Sequence, residues 1–121
     1  MRMKLAAAAI LFSGLLPVGP TLAQLADSEE EFQQMVAVLK ADDAERQGAI
    51  ETCIAQGIGD NPVGAAEFMG VPVEQATEAW CTRMTNGIAN GLLTLADVTG
   101  LGEGTVTPNA QKVLTTISEG E

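Results

Sequence analysis

Cys53 and Cys81 are the only two thiols in this 121-residue chain, and its 16 Asp and Glu carboxylates are the only other abundant groups able to do chemistry. There is no His and no Tyr. The cysteines lie 28 residues apart, which excludes a C-x-x-C redox motif. Two thiols without a His cannot close a zinc site, and the nearest cation able to activate a thiolate is Arg83, two residues beyond Cys81. The pair reads as one structural disulfide, Cys53–Cys81. For the carboxylates, Glu51, Glu67 and Glu78 are the candidates for an acid/base pair acting on a sugar. Such a site needs an aromatic platform, and beyond the N-terminal leader only Phe32, Phe68 and Trp80 are aromatic. Ser, Thr and Cys nucleophiles lack a His base. The clusters Glu29-Glu30-Glu31 and Asp42-Asp43-Glu45 lack the alternating ligands and central Gly of a calcium loop, and sit where helix N-termini favour carboxylates. These residues predict no catalytic site, no cofactor and no metal.

Arg2 and Lys4 precede an apolar run from Leu5 to Leu16, and Thr21-Leu22-Ala23 has the small side chains of a cleavage site, placing the cut before Gln24. The run is well short of the roughly 20 residues that cross a bilayer, and Gly14, Pro17, Gly19 and Pro20 break its end. Residues 1–23 read as a signal peptide and 24–121 as a single helical domain, periplasmic or secreted. In that oxidising compartment a disulfide persists, and closing this loop stabilises a small fold by about 3 to 4 kcal/mol. Arg2 and Lys4 fall in the leader. The remainder carries only Lys40, Arg46, Arg83 and Lys112 against all 16 carboxylates, a balance of −12. So acidic a surface repels the nucleic-acid backbone, and no nucleic-acid partner is expected.

Ser28 followed by Glu31 has capping-box spacing, and Phe32, Met35, Val36 and Leu39 then share one helical face, predicting a first helix over Glu29–Ala41. Asp42 and Glu45 repeat the spacing, with Ile50, Cys53 and Ile54 extending a stripe to Gly57, for a second helix from about Asp43 to Gln56. Asn61-Pro62 starts a short third helix to Met69, with Val63, Ala66 and Met69 turned inward, and Gly70 ends it. Pro72 is expected to open a longer helix reaching about Asn90, whose Val73, Ala76, Trp80, Met84 and Ile88 form a buried face. Thr94 and Asp97 cap a single turn from Leu95 to Val98, Gly100 to Gly104 reads as a flexible loop, and Thr107-Pro108 begins a terminal helix docking Ala110, Val113, Leu114 and Ile117. No alternating run bounded by a hairpin turn is present. The expected fold is all-α: a small compact bundle of five or six short helices stapled by one disulfide, with Trp80 packed near the bridge.

The stretch Ala65 to Trp80, with Gly70-Val71 between two helices, resembles the helix-turn-helix of bacterial regulators. In such readers the second helix offers cationic or amide side chains to bases, whereas here it begins with Glu74 and Glu78, so only the two-helix corner is carried over. The glycine loop lacks the Gly-Lys-Ser/Thr ending of a phosphate cradle and holds Glu103 in place of a cation. The reading that remains is a small exported, non-enzymatic protein that binds another envelope protein. Its candidate contact is the first-helix stripe of Phe32, Met35, Val36 and Leu39, which can dock in a partner's groove or on its own bundle. The export signal, the length and the single disulfide also resemble the small helical acid-resistance chaperones of enteric bacteria, a resemblance that implies a chaperone released by acid and carries over no individual residue.

Overall fold

The computed structural model describes residues 28–121; the leader and its cleavage site lie outside the described residues. Among the described residues six α-helices follow one another: α1 (Glu29–Ala41), α2 (Asp43–Gln56), α3 (Pro62–Met69), α4 (Ala76–Ala89), α5 (Leu95–Gly102) and α6 (Pro108–Leu114), with one 3₁₀ turn, Val73–Gln75, ahead of α4. No strand occurs among the described residues, and the fold is all-α as expected.

Side-chain caps set most of the helix starts. Ser28 Oγ accepts from the Glu31 N–H at 3.2 Å to open α1. Asp42 is extended (φ −131°, ψ 107°) and breaks α1 from α2 while its Oδ1 accepts from the N–H groups of Ala44 and Glu45. Asn61 caps α3, with Pro62 supplying a first residue that needs no N–H partner. Gly70 ends α3 in the left-handed region (φ 75°), where a side chain would be strained.

Helix α4 is the axis of the molecule. Ten of its residues are buried, among them Ala76, Cys81, Met84 and Ile88, and α1, α2, α3 and α6 all pack on it. The main core joins Phe32 and Leu39 of α1, Met69 of α3, Met84 and Ile88 of α4, and Val113 and Leu114 of α6. A smaller cluster surrounds the Cys53–Cys81 disulfide, which ties α2 to α4 with the two Cα atoms 5.7 Å apart. Trp80 lies half-buried against both clusters, beside the bridge. Gly87 allows α6 to come close, because a Cβ there would stand 2.8 Å from Val113 Cγ1 and 3.1 Å from Leu93 Cδ1.

Several boundaries differ from the sequence reading. Helix α4 begins at Ala76 and not at Pro72, because Pro72 is extended (ψ 148°) and Val73–Gln75 make only a 3₁₀ turn, leaving Val73 exposed. The single turn after Thr94 continues through Gly102. Gly100 is buried, and its would-be Cβ lies 3.2 Å from the Thr105 carbonyl oxygen, so the returning chain packs where a side chain would sit. Val63 points outward, leaving Ala66 and Met69 as the buried residues of α3. Ile117 does not dock: α6 stops at Leu114, the Thr115 and Thr116 hydroxyls donate back to the Gln111 and Lys112 carbonyls, and Ile117 is 77% exposed.

Candidate functional site

Two polar centres tie elements of the bundle together. Arg83, on α4 and only 3% exposed, donates through Nη1 to the carbonyl oxygens of Met69 (3.3 Å) and Leu114 (2.7 Å), the last residues of α3 and α6. A cation there satisfies carbonyls that no helical N–H reaches and faces the negative ends of two helix dipoles. Its other edge meets Glu121, with Nε to Oε2 at 2.8 Å and Nη2 to Oε1 at 2.9 Å. Burial alone would raise the Glu121 carboxyl. The hydrogen bonds from Arg83 and from the Ser118 N–H, with the charge of Arg83, outweigh it and hold the group below its ordinary value.

Asp97, buried on α5, is the second centre. It accepts from the Thr94 N–H (2.8 Å), from the Thr107 hydroxyl (2.6 Å) and from Asn109 Nδ2 (3.1 Å), so one carboxylate closes the capping box of α5 and ties it to the start of α6. Burial pushes its carboxyl up. The donors from Thr107, Thr94 and Asn109 together favour the ionised form more, and the net direction is downward. Both centres are fully engaged within the fold and act as fasteners.

Glu51, Glu67 and Glu78 are all exposed, and none lines either of the two cavities described below. Among the described residues no group of three or more His, Cys, Asp or Glu is placed to hold a metal ion.

A recess of about 730 Å³ is a groove between α1 and α2 with α4 beneath it. Met35 and Val38 of α1 form one wall, Ala44, Gly48 and Thr52 of α2 the other, and Leu39, Cys53 and Ile88 the floor. Of the four stripe residues read from the sequence, Met35 and Leu39 line this groove, whereas Phe32 is buried in the core and Val36 packs against it. The α1 stripe therefore docks largely on its own bundle, and the groove lies along its edge. Val38, 48% exposed, is a wall residue outside that stripe. Glu31 lines the α1 wall and Glu45 the α2 wall, and no Lys or Arg is among the described lining residues. A second recess, about 360 Å³, lies between α4 and α6 and includes Leu92, Lys112 and Ile117.

The helix-turn-helix-like corner is present as α3, Gly70 and α4, but α4 is enclosed by its neighbours instead of offering a free face to DNA. Fold and site together define a small, disulfide-stapled helical bundle with an apolar groove between its first two helices. Compared with known protein families, with curated proteins and with solved structures, the chain matches none. No helix among the described residues is long and apolar enough to cross a membrane.

Proposed function

We propose that this chain is a small exported, non-enzymatic protein of the cell envelope that works by binding a partner protein in the groove between α1 and α2. The observation that carries this reading is the apolar lining of an open recess: Met35, Val38 and Ala49 stay accessible beside a buried floor of Leu39 and Ile88. A domain this small has little apolar surface to spare, and a recess of this size lies in the range of functional binding sites. The disulfide and the leader reading support an oxidising compartment outside the cytoplasm.

Photo-crosslinking in the envelope tests it. A photoreactive residue in place of Val38 should give a discrete protein adduct, and one in place of Leu92, at the second recess, should not. An adduct from position 92 and none from position 38 would move the contact surface to the α4–α6 side and overturn the reading.

The two carboxylate fasteners favour a second reading, a chaperone loosened by acid. Protonating Asp97 would weaken the α5–α6 junction, and protonating Glu121 would weaken its tie to Arg83. Such a protein should suppress aggregation of an unrelated protein near about pH 3 and not near neutrality. Equal suppression at both pH values, or none at either, removes this reading.

A further inference from the structure

We infer that the occupant of the α1–α2 groove is a cationic amphipathic helix of a partner protein, lying along α1 and α2 as the fourth member of a bundle with α4. This inference rests on the partner-binding reading above and adds the chemistry of the partner. Three observations carry it.

The first is shape. Helices α1, α2 and α4 pack pairwise, and the groove runs between the first two over the third, which is where a four-helix bundle places its remaining helix.

The second is Gly48. It sits inside α2, where glycine is a poorer helix former than alanine. Among the described residues a Cβ built there meets no atom within 4 Å, so their packing gives no reason for the glycine. At Gly87, by contrast, Val113 of α6 and Leu93 occupy the space a Cβ would take. Ala44, Gly48 and Thr52 recur every four residues and make the α2 wall low, so a second helix can approach closely while the larger Met35 and Val38 of α1 pack against its side.

The third is charge. Helices α1 and α2 carry six carboxylates (Glu29, Glu30, Glu31, Asp43, Glu45 and Glu51) against two cations, Lys40 and Arg46, and neither cation is among the described residues that line the groove. Lys or Arg flanking an apolar stripe complements those walls. A second copy of this chain, carrying the same excess of carboxylates, would bring like charge to like.

The test uses three labelled synthetic helices of about 14 residues, matching the roughly 20 Å length of α1, with the same leucine stripe and Lys, Gln or Glu at every other position. Fluorescence anisotropy should show the Leu/Lys helix bound at least about tenfold more tightly than the Leu/Glu helix, with affinity falling as salt is raised. Gly48→Met, which fills the wall from a position free of neighbours, should weaken Leu/Lys binding by about tenfold or more at unchanged helicity. Val38→Ser, at an exposed position, should weaken it in the same direction and serves if Gly48→Met misfolds. Equal binding of all three helices, lost in both variants, would overturn the cationic assignment and leave the partner groove standing. Leu/Lys binding that neither variant reduces, or no binding of any helix, would overturn the helix-in-groove assignment, while the crosslink from position 38 decides the partner reading separately.

Discussion

Arg83 and Glu121, 38 residues apart, form a two-pronged ion pair whose guanidinium is buried and whose remaining donor edge closes the C-terminal ends of α3 and α6. One side chain thus joins the central helix, two helix ends and the segment after α6. Losing one partner of such a pair leaves the other uncompensated, so the two halves of the pair are unequal in what they hold.

Arg83→Met should therefore be among the most damaging substitutions, costing about 3 to 5 kcal/mol, because it opens two carbonyl contacts and orphans Glu121. Glu121→Gln keeps one acceptor and should cost about 1 to 2 kcal/mol. Urea unfolding of both variants checks the ranking, and an unaltered Glu121→Gln midpoint would show that the tail contributes nothing to stability.

Acid should weaken the bundle at two defined places. Asp97 and Glu121 both have folded values below their unfolded ones. The stability they contribute is present above the ordinary carboxylate range and is lost as pH falls through those depressed values. Melting temperatures from about pH 7 to about pH 2 should fall most steeply below about pH 4, and Asp97→Asn combined with Glu121→Gln should flatten the curve. A parent protein that melts higher in acid than at neutrality would mean that relief of repulsion among the 16 carboxylates outweighs both fasteners.

Phe32 is 1% exposed and anchors α1 to the main core, so Phe32→Ala should cost about 3 to 5 kcal/mol. Trp80 is only half-buried, and Trp80→Ala should cost less despite the larger ring. Thermal melts of the two variants decide the order. A greater loss for Trp80→Ala would assign the cluster around the disulfide, and not the α1 contact, as the mainstay of the fold.

Reduction of Cys53–Cys81 should lower stability by about 3 to 4 kcal/mol, and the native protein should resist thiol labelling. Labelling of either cysteine without reductant would contradict the bridge between α2 and α4.

The starts of α1, α2, α3 and α6 were legible in the sequence because Ser28, Asp42, Asn61 and Thr107 act through side-chain bonds to the next turn, a local event that spacing reveals. For α4 the amphipathic pattern reports only a single covered face. The helix is buried on most sides, and its interior includes Thr82, Arg83 and Thr85, polar residues that a hydrophobic stripe omits. The tie between Arg83 and Glu121 leaves no local mark, since nothing in either neighbourhood names a partner 38 residues away. The groove was half legible. Met35 and Leu39 stood out by periodicity, but the α2 wall is built from small residues that carry no hydrophobic signal, and Val38 lies off the stripe.

The account holds that α2 gives up helix stability at Gly48 to leave room for an occupant, and Gly48→Ala tests that most directly. Its melting temperature in the absence of any partner should rise, corresponding to about 0.5 to 1 kcal/mol, because the substituted Cβ meets no atom of the described residues and alanine is the better helix former. Binding of the Leu/Lys helix should weaken in the same variant. A lower melting temperature, or a higher one with binding intact, would contradict the claim that the α1–α2 groove is kept open for a partner.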